Sequence, residues 1–425
     1  MKNSVSIYIT FLLIAFLVGC APQGTGVTTT PAEPDLRWPI NPPVYGKDAV
    51  VSQSDSLLFF RPVASLPKDR LDSVHQESVT LDVESPGSVQ ICAVDDRLDL
   101  VYTVEPDPCP TGVADADAFA EIGIYNHETK ACQVIGRVQG ATLLHLYSDD
   151  RYLVWCEATR SGVNLVDPTV HLYDRAKQTD VTWLIPDATI DNATEPSSFP
   201  PTAVLVAEDH VYMEVITGMS AEAGIRTAVY RYGILSGVLE CLAVDAAQPY
   251  RLLDGSVGWC ALTYDGSQVT GIRCVGRNGT ECGIMDPQVV LSRARLQGDV
   301  AVVSDFLQSW HIVSEDIEGL APEAVDSSGI RMITREKEIP IIAGCHAVYV
   351  ESPSFNGKAA VFRIEDVVRE PLFYDIDGDR LIQLDDCPAA AYVPFVTDGK
   401  VIFVDGAYQP SLTREAIHLV WVEWP

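Results

Sequence analysis

The segment Asp-Arg-Tyr-Leu-Val-Trp-Cys, residues 150–156, joins a polar turn to a run of apolar residues that favour β-strands. The same pattern returns as Asp-Gly-Ser-Val-Gly-Trp-Cys at 254–260 and as Asp-Gly-Lys-Val-Ile-Phe-Val at 398–404. Weaker copies begin at Asp96, Asp209, Asp299 and Gly344. Successive copies start 54, 59, 45, 45, 45 and 54 residues apart, so one structural unit repeats along the chain.

Each copy is flanked by further strand-like segments in a fixed order. For the copy at 150–156, one segment precedes it at 143–146 and two follow at 170–174 and 181–185. Amphipathic helical periodicity is nearly absent. Four short strands in a unit of about 40–50 residues are typical of a propeller blade. The sequence therefore predicts an all-β fold, a single β-propeller with seven four-stranded blades, six and eight being the alternatives.

The two ends of the repeat region complement each other. Residues 417–422 have the pattern of a third strand, and no fourth strand follows them. The segment Ser-Val-Thr-Leu-Asp-Val at 78–83 can supply it from the N-terminal side. We expect the N- and C-terminal strands to pair, because an open ring would leave sheet edges exposed.

The strand-turn-strand style of residues 78–425 resembles the propellers of TolB-like and dipeptidyl-peptidase-like proteins. The resemblance is architectural and includes no signature motif, so it implies no activity. Residues 47–77 precede the repeats and are interpreted as an N-terminal extension or a partial blade.

The first residues have the features of an export signal. Lys2 is followed by an apolar run, Val5 to Val18, which is shorter than the ~20 residues of a membrane-spanning helix. Leu-Val-Gly-Cys at 17–20 resembles the lipobox of bacterial lipoproteins, which implies cleavage before Cys20 and diacylglycerol on its sulfur. Residues 1–19 are then a signal peptide, and the proline- and threonine-rich residues 20–46 a flexible lipidated tether. The alternative is an ordinary secretory signal that contains a cysteine.

Composition excludes some partners. Acidic residues outnumber basic ones 59 to 29, for a formal charge of −30. Nucleic acid would be repelled, because phosphate binding needs clustered Lys and Arg. Without Cys20, ten cysteines remain, an even number that suits a disulfide-forming compartment, and no C-x-x-C zinc motif occurs.

Cys274 and Cys282 flank what looks like a tight hairpin, Val-Gly-Arg-Asn-Gly-Thr-Glu at 275–281. A two-residue Asn278-Gly279 loop would point the two sulfurs to opposite faces. A three-residue loop, Arg277 to Gly279, would place the cysteines directly opposite each other and near disulfide reach. The disulfide Cys274–Cys282 is the favoured expectation, and buried free cysteines are the alternative.

Other candidate chemistry is sparse. Asp375, Asp377 and Asp379 resemble part of a calcium loop, but the glycine falls at the fourth rather than the sixth position, which favours a strand-turn-strand. No G-x-S-x-G motif of a serine hydrolase occurs, and the sequence indicates no cofactor.

The favoured function is that of a cell-envelope lipoprotein whose propeller binds or scaffolds a protein, peptide or glycan on one face without catalysis. Propellers can also place paired carboxylates in their central funnel, so an extracytoplasmic enzyme acting on polysaccharide or peptide is the second hypothesis. The third is a subunit of an envelope assembly or sensing complex. A fold by itself does not specify which of these applies.

Overall fold

The computed structural model describes residues 37–38, 52–54, 57–68, 73–83, 87–106, 119–161, 164–185, 199–220, 222–287, 289, 291, 294–306, 328–344, 350–364, 368–385, 387–390, 392–406, 408–409 and 417–424. These residues form strands and no α-helix. In chain order the strands are β1 (Arg37–Trp38), β2 (Ser52–Ser54), β3 (Leu57–Phe59), β4 (Val63–Ser65), β5 (Val74–Val79), β6 (Ser88–Val94), β7 (Leu100–Glu105), β8 (Phe119–Asn126), β9 (Ala131–Gln139), β10 (Ala141–Ser148), β11 (Tyr152–Ser161), β12 (Asn164–Asp174), β13 (Thr179–Leu184), β14 (Ala203–Ala207), β15 (His210–Ser220), β16 (Gly224–Gly233), β17 (Leu239–Val244), β18 (Ala246–Arg251), β19 (Val257–Asp265), β20 (Gln268–Gly276), β21 (Glu281–Met285), β22 (Ala294–Gln297), β23 (Val300–Phe306), β24 (Ser328–Thr334), β25 (Glu338–Gly344), β26 (Val350–Phe355), β27 (Ala359–Ile364), β28 (Leu372–Asp375), β29 (Arg380–Gln383), β30 (Val393–Val396), β31 (Lys400–Asp405), β32 (Tyr408–Gln409) and β33 (Ile417–Glu423).

The strands build seven blades, each with four antiparallel strands, as the repeat predicts. From the innermost strand outward, blades 1 to 6 consist of β6–β9, β10–β13, β14–β17, β18–β21, β22–β25 and β26–β29, and blade 7 consists of β30, β31, β33 and β5. Buried apolar clusters fill the space between every pair of neighbouring blades, including blades 7 and 1. The fold is a closed β-propeller.

The polar turn of the repeat is the connection between the first and second strands of a blade. Its acidic residue accepts backbone hydrogen bonds: Asp149 Oδ1 from the N–H of Arg151 at 2.8 Å and of Tyr152 at 2.6 Å. Asp254 Oδ1 accepts in the same way from Ser256 N–H at 3.0 Å. Such a bond fixes a short turn locally, which is why Asp recurs there.

The predicted copy at Gly344 is wrong, because Gly344 is the last residue of the outermost strand β25. The first turn of blade 6 begins instead at Asn356, whose Oδ1 accepts from Lys358 N–H at 3.0 Å and from Ala359 N–H at 2.9 Å. A glycine followed by β-forming residues occurs at both places, so the sequence pattern alone does not separate them.

The ring is closed by pairing of terminal strands, as predicted. β33 runs antiparallel to β5, from Ile417 opposite Val79 to Val422 opposite Val74. The closing strand lies four residues before the predicted segment 78–83. The chain must next cross the blade to β6, over three strand spacings or about 14 Å. If residues 78–83 formed the closing strand, only residues 84–87 would remain to make this connection. Four fully extended residues span at most about 14 Å, which leaves no length for reaching the next blade.

The strands before β5 lie along the outer edges of three blades. β1 pairs in parallel with β21 of blade 4, β3 pairs with β25 of blade 5, and β4 pairs in parallel with β29 of blade 6. Leu57, Leu58, Phe59 and Phe60 are buried there. These strands, β1 to β4, are called the N-terminal belt below. The belt covers sheet edges that would otherwise present unpaired backbone groups.

Candidate functional site

The two ends of the ring differ in the length of their connections. At one end, here the tight end, the connections between first and second and between third and fourth strands contain two to five residues. At the other, the loop end, 13 residues lie between Glu105 and Phe119, 18 between Leu184 and Ala203, and 21 between Phe306 and Ser328. Binding residues concentrate on variable loops held by a rigid scaffold. The loop end is therefore the candidate functional face.

A buried carboxylate lies at the loop end of blade 3. Glu214 of β15 is opposite Ala203, the first residue of the innermost strand β14, and its side chain is 7% exposed. Its Oε2 accepts a hydrogen bond from the backbone N–H of Gln248 at 2.8 Å, and the Thr202 side chain also bonds to it. Because Gln248 belongs to β18, its bond to Glu214 joins blades 3 and 4 at their inner edge.

The backbone at Gln248 is unusual. Gln248 has φ of 50° and lies in a bulge of β18 between Ala247 and Tyr250. A left-handed conformation in a non-glycine residue costs about 1–3 kcal/mol and is found preferentially at functional sites. The bulge turns the Gln248 N–H toward Glu214, so the hydrogen bond offsets part of this strain.

A positive charge from blade 5 acts on the same carboxylate. Arg295 of β22, the innermost strand of blade 5, interacts electrostatically with Glu214. Its side chain remains accessible to water, yet surrounding protein atoms desolvate it and lower its pKa, while Glu214 raises it. We call Thr202, Glu214, Gln248 and Arg295 the channel-mouth site, because all four lie at the loop end of innermost strands or beside them.

Burial is the main influence on the pKa of Glu214. Desolvation raises the pKa of the carboxyl, and the Gln248 N–H, the Thr202 side chain and the Arg295 charge oppose this increase. Groups with perturbed pKa values are enriched at functional sites. The site thus combines a buried carboxyl of raised pKa with the positive charge of Arg295.

Two hairpins stand at the loop end of blades 3 and 4 and support each other. The Arg226 guanidinium lies 3.7 Å from the centroid of the Tyr264 ring and donates to Gly266 O at 3.2 Å. The Tyr264 hydroxyl donates to Ile225 O at 3.2 Å. Met219, at the end of the blade 3 hairpin, is 61% exposed. The hairpins form a braced surface with an apolar tip.

The predicted calcium candidates lie at the opposite, tight end. Asp375 and Asp379 flank the turn between β28 and β29, which is the strand-turn-strand that the sequence favours. Asp375 accepts from Arg380 Nε at 3.2 Å, and Asp379 Oδ1 accepts from the Tyr374 hydroxyl at 2.7 Å. Across the described residues no group of three or more His, Cys, Asp or Glu is placed to hold a metal ion.

The hairpin at 274–282 has the three-residue loop considered above. Gly276 N–H donates to Thr280 O at 2.9 Å, and Gly279 has φ of 80°. A bulge then shifts the register, so that Gly283 rather than Cys282 lies opposite Cys274. The predicted Cys274–Cys282 disulfide stays a prediction, and Cys20 lies outside the described residues.

Sequence reasoning missed the channel-mouth site. One signal was available: Glu214 interrupts the apolar run Val-Tyr-Met-Glu-Val-Ile at 211–216. A charge in a strand buried on both faces needs a partner. Neither Gln248 nor Arg295 has a comparable sequence signal.

No family model and no curated protein matches the chain. Among solved structures, TolB from Acinetobacter baumannii is 12% identical, with a TM-score of 0.37 over 61% of this chain. The chain covers 54% of that TolB chain, about half its length. The β-propeller domain of the Trilobed protease from Pyrococcus furiosus is 10% identical over 81% of this chain and 93% of its own, with a TM-score of 0.46. An oligogalacturonate lyase in complex with manganese is 12% identical over 91% and 97%, with a TM-score of 0.43. At such identities these similarities concern the fold alone.

We predict that Glu214→Gln changes the pH dependence of stability. A carboxyl whose pKa is raised in the folded state binds more protons in the native than in the unfolded state. The free energy of unfolding therefore falls as the pH rises above about 4.5, the ordinary pKa of the group. The total loss is about 1.4 kcal/mol for each unit by which the folded pKa exceeds the unfolded one. The amide removes this loss while keeping an oxygen for the Gln248 N–H. We therefore compare the urea concentration at the unfolding midpoint of the variant with that of the wild type. The difference should shift in favour of the variant between pH 4 and pH 7. An equal difference between variant and wild type at both pH values would contradict the raised pKa.

Proposed function

We propose that the chain is a lipid-anchored envelope protein whose propeller binds a protein, peptide or glycan at its loop end. The observation that carries this proposal is the placement of every long connection at one end of a closed ring. The channel-mouth site lies at that same end, and the braced hairpins of blades 3 and 4 stand beside it. The tight end, with turns of two to five residues, offers little variable surface.

Anchoring through lipid on Cys20 completes the proposal. Two or three acyl chains provide the multiple attachment that stable membrane binding requires. The described residues contain no helix of the length and apolar character needed to cross a bilayer. A charge of −30 opposes docking on anionic lipid, so the acyl chains would hold the protein there.

Binding is favoured over the enzymatic alternative by the partners of Glu214. Hydrolysis by paired carboxylates needs a second carboxyl about 5–10 Å away. Among the described residues, the groups that oppose the rise in the pKa of Glu214 are Gln248, Thr202 and Arg295, so no carboxylate is shown to be paired with it. The raised pKa of Glu214 is the one observation that favours an enzyme acting on polysaccharide or peptide, as a single general acid.

Photo-crosslinking from the two ends of blade 3 tests the binding face. Met219 at the loop end is 61% exposed, and Leu235, in the turn after β16 at the tight end, is 82% exposed. A photoreactive phenylalanine analogue at position 219 should capture a discrete partner in the cells of origin, whereas the analogue at 235 should not. Both sites are exposed and apolar, so position 235 controls for unspecific capture. Capture from position 235 alone would contradict the proposal. Capture of several subunits of one membrane complex from position 219 would instead favour the hypothesis that the protein is a subunit of an envelope assembly or sensing complex.

The lipid anchor has its own test. Cells fed an alkyne fatty acid should incorporate the label into the wild-type chain, and Cys20→Ser should abolish it and release the protein from the membrane fraction. Cys92→Ser serves as a matched control, because it removes a different cysteine and leaves the lipobox intact. Label that survives Cys20→Ser would refute the anchor.

A further inference from the structure

Three cysteines and a tyrosine meet inside blade 4. They are Tyr250 on β18, Cys260 on β19, Cys274 on β20 and Cys282 on β21. Cys260 and Cys274 are 0% and 1% exposed. The two thiols and the Tyr250 hydroxyl are close enough to influence one another's pKa.

Cys260 and Cys274 are direct cross-strand partners. The register is continuous on both sides of them, from Gly258 opposite Gly276 to Thr263 opposite Gly271. Directly opposed residues of antiparallel strands have Cα atoms about 4.5 or 5.5 Å apart. A disulfide requires a Cα separation of about 4.4–6.8 Å, which includes both distances. The Cα separation of this pair therefore meets the requirement for a disulfide, and both side chains lie on the same face of the sheet.

Cys282 is the less suitable partner. Because of the bulge in β21, Gly283 occupies the position opposite Cys274. The Cys282 thiol is directed to the backbone, where it donates to the carbonyl oxygen of Cys274 at 3.3 Å. Joining it to the Cys274 sulfur would require this contact to break.

We propose that Cys260 and Cys274 form a disulfide that joins the two central strands of blade 4 after export, so the proposal rests on the extracytoplasmic location proposed above. The thiolate of one of the two cysteines attacks an external disulfide, forming a mixed disulfide and releasing one thiolate. The thiolate of the other cysteine then attacks the sulfur of the first and releases the second thiolate from the external disulfide. The two cysteines lose two electrons and two protons, and one external disulfide becomes two thiols. Because both cysteines are buried, this exchange takes place before blades 4 and 5 pack together.

The bond would brace the channel mouth. Cys260 lies opposite Ala247, the neighbour of Gln248, whose N–H holds Glu214. A covalent link between β19 and β20 stiffens the sheet on which this bent segment of β18 rests. The disulfide would therefore act from inside the blade, by holding in place the strands that position the channel-mouth site.

Tryptic peptide mapping tests the pairing, because cleavage after arginine separates all three cysteines. Cys260 falls in residues 252–273, Cys274 in 274–277 and Cys282 in 278–293. The full chain is isolated from membranes, alkylated in denaturant without reductant and digested. We expect a species that joins 252–273 to 274–277 and is two hydrogens lighter than their sum. The same species should form when the reduced chain refolds with glutathione disulfide, and Cys282→Ser should retain it while Cys260→Ser abolishes it.

The alternatives give distinct masses. A species that joins 274–277 to 278–293 would overturn the proposal in favour of the Cys274–Cys282 bond. Alkylated thiols on all three peptides after refolding with glutathione disulfide would overturn it as well. The Cys260–Cys274 bond could form on refolding and yet be absent from the chain isolated from membranes. This result would support the pairing of the two cysteines and contradict its formation after export. Wild-type protein alone gives each of these results, so a variant that fails to fold does not weaken the test.

Discussion

The pairing of β5 with β33 is the constraint on which the rest of the structure depends. It joins residues 74–79 to residues 417–423, and so converts seven sheets in a row into a ring. Side chains reinforce it: the His75 ring stacks on Trp421 with centroids 5.3 Å apart, and Glu77 binds His127 Nε2 at 2.7 Å. Glu77 also binds Lys130, which lowers the pKa of Glu77, and His127 and Lys130 both belong to the turn that follows β8 in blade 1. The closing strand is thus fixed to both sides of the seam.

The buried polar residues at the two ends of the closed ring have different partners. At the tight end, buried acids satisfy local backbone groups: Asp95 Oδ1 accepts from Asp99 N–H at 3.0 Å, and its Oδ2 pairs with Arg175 at 2.6 Å. These interactions stabilise turns and neighbouring blades. At the loop end, Glu214 bonds instead to the backbone of Gln248 in another blade and interacts electrostatically with Arg295 of a third. Left-handed residues also occur in the turns of the tight end, whereas Gln248 lies within a strand. This site and the long connections at the same end are the reasons for proposing that the loop end binds.

The blades could be predicted from sequence because each blade is specified by residues that are close together in the chain. A polar turn, a strand and a tight second turn recur within each unit, and six of the seven predicted starts fall on the turn between first and second strands. The start at Gly344 failed because a glycine before β-forming residues is a weak turn signal, and the closing strand was shifted by the length needed to cross the blade. The channel-mouth site was beyond reach for another reason. Glu214, Gln248 and Arg295 are 34 and 47 residues apart in sequence and meet only through the packing of three blades and one bulge.

Amide hydrogen exchange measured by mass spectrometry tests the closed ring most directly. The probes are residues 74–79 and 417–423, and the internal reference is β31, Lys400–Asp405, which pairs with β33 inside the same blade. β5 is an edge strand, so only its alternate amides are hydrogen-bonded to β33. If the seam is intact, those amides of β5 and the amides of β33 exchange as slowly as β31, through global opening. Rapid exchange of 74–79 and 417–423 while β31 stays protected would show an open seam and contradict the account.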